Sequence, residues 1–336
     1  MATNVTTSFT DGTSSDATQS IFNTLLLVRG TYALIHQVPV KKYNLARRQG
    51  KTMIWRRYSA LSLATTALTE GLNPEGRTKS KTDVAATIQQ YGDFIEDTDM
   101  VIDTQPDAQS AENVELLGQQ MGETFDQLYR DIFATATNIV YTSGTSTVTV
   151  DQIVDRNDLD RAYRLLRVNK ARTFSPMIMA GQNVGTGPVM PSYWAMCDER
   201  VAFDLRHVEG FLLPSEYAQK TGVLAGEFGA DKNGIRFLAS PNGYYLAGAT
   251  GTTIASTTLK NTGGYADVYS IFICGQECVG GVNLGNGNGG VIRKALGSAG
   301  TADPLDMRQT IGWKKYDTRK VLNQDFMVEI QTGVSL

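Results

Sequence analysis

The stretch from Ser110 to Tyr141 carries the most constraining pattern in the chain. Val114, Leu117, Met121, Leu128, Ile132, Ala136 and Ile139 recur at spacings of three, four or seven, and Leu116, Tyr129, Phe133 and Val140 flank that stripe. Apolar residues with this period line one face of an α-helix. The spacing predicts a helix over 110–141, with Ser110 as its N-cap and Glu112 and Glu115 at the positive end of its dipole. Gly118 and Gly122 are tolerated costs within it. About 30 residues make a rod roughly 45 Å long, longer than the usual globular helix and suited to a spine.

Upstream lies a second unusual feature. Residues 51–58, Lys-Thr-Met-Ile-Trp-Arg-Arg-Tyr, read as a strand by propensity. Residues 82–96 read as a partner strand, with Val84, Ala86 and Ile88 at alternate positions, followed by Tyr91, Phe94 and Ile95. Between them, Leu68-Thr-Glu-Gly-Leu-Asn-Pro-Glu-Gly76 carries strong turn signals. The flanks bear Arg56, Arg57, Arg77, Lys79 and Lys81. A long charged hairpin with little core of its own is expected to lie on another surface. Asp93, Glu96, Asp97, Asp99, Asp103 and Asp107 are dense, but they lack the glycine and spacing of an EF-hand. They read as a salt-bridging face opposite the hairpin's basic residues.

The remainder is mixed. Residues 1–20, rich in Ser, Thr, Ala and Asp, read as an arm ordered only when held. Residues 21–36, with Ile21, Phe22, Leu25, Leu26, Val28, Tyr32 and Ile35, read as a short helix bent near Gly30. A helix is expected over 156–172, capped by Asn157 or Asp158. Leu159, Ala162, Leu165 and Leu166 would face inward, and Arg161, Arg164, Arg167, Lys170 and Arg172 would face water. Strands are expected at 193–197, 235–240, 265–275, 309–316 and 326–331, and a short helix at 198–206. The glycine-rich tracts 241–264 and 280–300 read as long surface loops. This is an α+β order without the strand–helix alternation of a doubly wound sheet, and no internal repeat is visible.

Several function classes fall away on chemistry. With 336 residues, 41% of them hydrophobic, the chain supports one elaborate domain or two modest ones. Its formal net charge of -3 is not that of a basic nucleic-acid reader, so any DNA contact should be weak, local and sequence-independent. Cys197, Cys274 and Cys278 are too few and odd in number for a disulfide framework and fit a reducing cytoplasm. The opening residues lack the pattern of a secretion signal, and the apolar run at Leu25–Val28 is far too short to cross a bilayer. His36 and His207 belong to no metal-ligand pair, and no Gly-x-Ser-x-Gly elbow accompanies them. His207 is expected to be a structural surface residue, and Cys274 and Cys278 ordinary buried or half-buried thiols. Gly285-Asn-Gly287-Asn-Gly-Gly290 satisfies G-x-G-x-x-G, but under two turns of helix could follow it, so it reads as a loop. No catalytic residue, cofactor site or metal site is assigned.

Longer motifs carry a resemblance. Ala64-Thr-Thr-Ala-Leu68-Thr-Glu-Gly71, Pro74, Thr82-Asp-Val-Ala-Ala-Thr87, Gln90-Tyr-Gly-Asp93, Thr98-Asp99, Trp313-Lys and Asp325-Phe-Met-Val-Glu-Ile-Gln-Thr-Gly333 are similar to the N4-gp56 family of phage major capsid proteins. The resemblance implies an HK97-type capsid fold. Residues 1–50 would be an N-terminal arm and 51–100 an extended loop. Residues 101–150 and 306–336 would form a peripheral domain with the spine helix, and 151–305 an axial domain. It also implies self-assembly into pentamers and hexamers of an icosahedral virion shell around double-stranded DNA, with synthesis in the host bacterial cytoplasm. Portal, scaffold and decoration proteins are further partners it allows; no membrane and no cofactor are implied. Arg56, Arg57, Glu70, Pro74, Arg77, Lys79, Lys81, Tyr91, Asp93 and Asp97 are the expected assembly contacts, with hairpin cations meeting carboxylates of a neighbour. The alternative is an encapsulin-like nanocompartment shell. A glycan-binding or enzymatic β-rich domain ranks behind both, since no catalytic constellation is present.

Overall fold

A computed structural model of the chain describes residues 32–336 apart from 72, 74, 105–108, 175–190, 218–222, 251–258, 286–289 and 299–302. The expected arm, most of the helix expected over 21–36, Pro74 and Asp107 lie outside the described residues.

The chain begins with β1 (Lys41–Leu45), β2 (Thr52–Tyr58), β3 (Lys81–Thr87) and β4 (Gln89–Thr98), then α1 (Asp99–Thr104) and α2 (Gln109–Phe133). β5 (Ile139–Tyr141), α3 (Arg156–Val168), β6 (Tyr193–Asp198), α4 (Glu199–Leu205), β7 (Phe211–Leu212), β8 (Glu227–Asp231) and β9 (Ile235–Ser240) follow. The last part holds β10 (Tyr245–Leu246), β11 (Asn261–Thr262), β12 (Tyr265–Ala266), β13 (Val268–Cys274), β14 (Val279–Leu284), β15 (Gly290–Lys294), β16 (Arg308–Val321) and β17 (Met327–Thr332).

Two sheets dominate. The larger runs β5-β17-β13-β6-β9-β8-β7, with β10 also on β13. One face is covered by α3 and α4, whose Leu159, Ala162, Leu166, Val201 and Leu205 pack with Tyr193, Phe237, Ile271 and Ile330. The other face takes the end of α2 and the segment before β1, through Phe133, Tyr129, Ile35 and Val40 against Met196, Phe272 and Met327. The smaller sheet orders β1-β14-β16-β15, with β4 along the opposite edge of β16. Leu117 and Phe125 of α2 pack there on Ile311 and Trp313. The rod therefore serves both sheets.

α2 is 25 residues long, about 37 Å, and ends eight residues short of the expected helix. β-Branched Thr135 and Thr137 follow it, and the Thr135 hydroxyl donates to the Ile132 carbonyl. Asn138 then donates its side-chain amide to the Gln324 and Met327 carbonyls, turning the chain into β5. Val140 is still buried, but on a strand. Ser110 lies inside the helix and not before it. In α3 the cap is Asp155, not Asn157 or Asp158. Its extended backbone lets its carboxylate accept from the Asp158 N–H at 3.0 Å, while Asp158 accepts from the Asp155 N–H at 3.2 Å. Leu165, expected inside, is 38% exposed.

Residues 82–96 are not one strand. The chain bends at Ile88, so that β3 pairs with β2 while β4 pairs along its length with β16. The tract 280–300 is not a loop either. β14 is largely buried, and Gly281 is needed there because a Cβ would come within 2.4 Å of the Tyr129 hydroxyl. β4, β14 and β15 join β16 in the smaller sheet, whereas β5 and β17 lie in the larger one.

Burial raises the Asp158 carboxyl from the ordinary 3.8 to about 6, with the Asp155 charge adding to it. The folded chain thus holds a proton that the unfolded chain releases, and this group's contribution to stability falls as pH rises from 3.8 to about 6. Asp158→Asn is expected to remove that slope, about 1 kcal/mol after screening, in unfolding curves taken across this window. An unchanged slope in the variant contradicts the assignment.

Candidate self-association surface

β2 and β3 form an antiparallel ribbon in register from Thr52↔Thr87 to Tyr58↔Lys81. Its root is docked. Met53, Trp55, Val84 and Ala86 share one face, and the Trp55 ring meets Tyr43 edge-on at 5.7 Å. Beyond that root, every described residue from Arg56 to Asp83 is exposed. Period-two alternation normally hides one face of a ribbon, yet here neither face is covered. Ile54, Tyr58, Leu61, Leu63 and Leu68 present apolar side chains to solvent. A two-stranded ribbon with both faces wet is marginal by itself.

The expected contact residues fall into two groups that the single chain does not bring together. Arg56 is held by Asp83 across the ribbon at 2.9 Å, with Lys81 at 3.7 Å from the same carboxylate. The Arg56 guanidinium accordingly holds the Asp83 carboxyl below its usual range. Arg57, Glu70 and Lys79 are exposed, and Arg77 donates to the Ser62 hydroxyl. Tyr91, Asp93 and Asp97 sit on the α2 side of β4. The Tyr91 ring packs edge-on to Phe125 at 5.8 Å. Asp93 accepts from Gln120 at 2.6 Å and Asp97 from Asn113 at 2.6 Å, both on α2. The Gln120 bond lowers the Asp93 carboxyl.

The expected single acidic face is therefore corrected. Alternation along β4 turns Asp93 and Asp97 toward α2 and Glu96 away, toward Arg308 at 3.3 Å, while Asp99 and Asp103 belong to α1. Sequence reasoning missed Asp83 as the partner of Arg56, although the register of any 51–58/82–87 hairpin would have offered it. It also missed the three exposed leucines of the tip.

The titratable groups singled out for chemistry are packed into the body. His36 is buried against Asp126. Its backbone N–H donates to one carboxylate oxygen at 2.9 Å, and its Nδ1 lies 2.8 Å from the other, which also accepts from Asn242 at 2.9 Å. This ties the segment before β1 to α2. His207 is exposed, with Nδ1 2.9 Å from the Phe203 carbonyl. All three cysteines are buried and unbridged. Burial pushes the Cys197 and Cys274 thiols up. Gly290 opens a strand antiparallel to β16, not the helix a dinucleotide fingerprint requires. Among the described residues no three His, Cys, Asp or Glu side chains gather as a metal site, and no helix is long and apolar enough to cross a membrane.

No curated protein matches the sequence. Among solved structures, the capsid of Ralstonia phage GP4 superposes with a TM-score of 0.67 at 11% identity, covering 99% of this chain and 98% of that one. The acid-stable capsid of Helicobacter pylori bacteriophage KHP30 gives 0.65 at 11%, covering 98% and 100%. The cyanophage Pam1 capsid gives 0.63 at 12%, covering the whole of both chains. At these identities the likeness is one of fold: a mixed α+β, HK97-like architecture. A model of the phage capsid protein family matches residues 81–273, more than half of the sequence. The chain belongs to the phage capsid protein family, and is a structural protein of the bacteriophage virion.

Proposed function

We propose that copies of this chain, a major capsid protein of the N4-gp56 type, assemble head-to-tail into pentamers and hexamers that close an icosahedral shell around double-stranded DNA. The observation that carries this reading is the ribbon beyond Trp55, whose described residues from Arg56 to Asp83 are all exposed. Such a segment gains its missing burial from a neighbouring copy. A head-to-tail contact repeated around an axis closes into a ring. Each exposed ion pair across it contributes little, about 0–1 kcal/mol. Repetition around a closed lattice makes the sum large. Arg57 is the hairpin cation best placed for such a pair, because Arg56 is already engaged by Asp83. A net charge of -3 suits a wall that encloses DNA without gripping it.

Deleting 70–77 is expected to leave a folded monomer, by circular dichroism and thermal unfolding, that forms no shells in electron microscopy. Normal particles from the deletion chain would remove the hairpin from assembly. Arg57→Glu is expected to weaken assembly in sedimentation at low salt and to reduce its dependence on salt. Sedimentation indistinguishable from that of the unsubstituted chain at both salt concentrations contradicts the charge pairing.

A further inference from the structure

Two thiols meet where the chain passes from the larger sheet to the smaller. β13 ends at Cys274, and Gly275, Gln276, Glu277 and Cys278 lead into β14. The Cys278 N–H donates to the Gly275 carbonyl at 3.3 Å, which closes a tight turn over 275–278. Glu277 has a φ of +65°, the left-handed backbone that turns usually give to glycine or asparagine. A glutamate adopts it at a cost, and the surroundings hold it there. The Gln276 N–H donates to the Arg172 carbonyl at 2.8 Å, the Gly275 N–H to the Phe326 carbonyl at 2.8 Å, and the Cys278 carbonyl accepts from the Leu322 N–H at 2.8 Å. The turn brings its two flanking cysteines together. Both side chains are fully buried in one cluster with Phe272, Val279 and Met327, and the Cys274 thiol lies within hydrogen-bonding reach of the Cys278 thiol.

The pair has few uses as it stands. Among the described residues no set of three His, Cys, Asp or Glu side chains includes it, so it is not a metal site. An S–H group is a weak donor, so the contact itself contributes little. Cys197 sits apart, on the other face of the larger sheet, where its thiol donates to the Leu238 carbonyl at 3.6 Å. A disulfide spans Cα atoms up to about 7 Å apart, and a closed turn brings residues of one chain within that range. We propose that Cys274 and Cys278 are a latent disulfide, reduced in a reducing compartment and oxidised outside it, that ties the end of β13 to the start of β14. A low-molecular-weight disulfide such as oxidised glutathione is the oxidant. One cysteine thiolate displaces a glutathione thiolate to form a mixed disulfide, and the second displaces the other, so two protons and two electrons leave the pair and two glutathione thiols are released. Burial pushes the Cys274 thiol up, so the closed core keeps it protonated, and the exchange proceeds when this segment opens. The loop closed is short, so the bond acts mainly as a local staple at the crossing between the sheets. A virion protein has a use for such a pair, because thiols persist in the cytoplasm and disulfides persist outside it.

The test uses the unsubstituted full-length chain and needs no assembly, so its outcome is independent of the shell reading. One sample is kept in dithiothreitol, and another is incubated folded with oxidised glutathione after the reductant is removed. Both are then unfolded in guanidinium with iodoacetamide and weighed by mass spectrometry. The reduced sample is expected to take up label at all three cysteines and the oxidised one at Cys197 alone, with peptide mapping showing Cys274 joined to Cys278. Treating the oxidised sample with dithiothreitol is expected to restore labelling at all three. Labelling of all three cysteines after oxidation would overturn the proposal. So would a glutathione adduct, or a bond between chains, in place of the Cys274–Cys278 link.

Discussion

Phe125 and Phe133 stand two turns apart on α2 and pack against different sheets. Phe125 meets Trp313 of the smaller sheet at 5.9 Å, and Phe133 meets Phe272 of the larger at 6.2 Å. Between them Tyr129 serves both. Its ring lies in the core of the larger sheet, and its hydroxyl donates to Asp317 on β16 at 3.2 Å. Burial pushes the Asp317 carboxyl up, opposed by the adjacent Arg319 guanidinium at 3.2 Å. The chain crosses between the sheets three times, through α2, after β13 and after β16, and the last two crossings are clipped together. The Cys278 carbonyl accepts from the Leu322 and Asn323 N–H groups, and the Gly275 N–H donates to the Phe326 carbonyl at 2.8 Å. The α2 contacts, this clip and the shared packing of Val279 and Val321 with Phe272 and Met327 join the two sheets.

That stiff body accounts for the rest. Its cores are completed by α2, α3, α4 and the segment tied down by His36, so none of its buried clusters takes side chains from the ribbon beyond Trp55. The ribbon is left as a strip of exposed chain, anchored at Tyr43–Trp55 and spread over solvent. Conformational entropy opposes ordering such a strip on its own. Docked on a second rigid surface, the same strip would exchange exposed leucines for contact. A stiff body with one projecting, unburied ribbon suits the assembly proposed above.

The sequence made the periodic parts legible. The stripe from Val114 to Ile132 identified α2, and the turn residues between 68 and 76 identified the hairpin. The strands expected at 193–197, 235–240 and 326–331 lie within a residue of β6, β9 and β17. What it missed depended on partners far away in the chain. The helix end at Phe133 is decided by Asn138 reaching carbonyls near residue 325. The break at Ile88 exists because β16 takes β4 away from the hairpin. The glycines of β14 look like loop residues until the Tyr129 hydroxyl is seen lying over Gly281. The candidate contacts were half legible. The hairpin cations were placed on an exposed ribbon, but Asp93 and Asp97 proved to be bonded to α2.

Hydrogen exchange of the ribbon amides, compared between monomer and assembled shell, tests the central claim most directly. If the ribbon completes its burial only on a neighbouring copy, amides from 56 to 83 exchange rapidly in the monomer and become strongly protected in the shell, while those of β13 and β17 are protected in both. Equal exchange of the ribbon in the two states, fast or slow, would contradict the account.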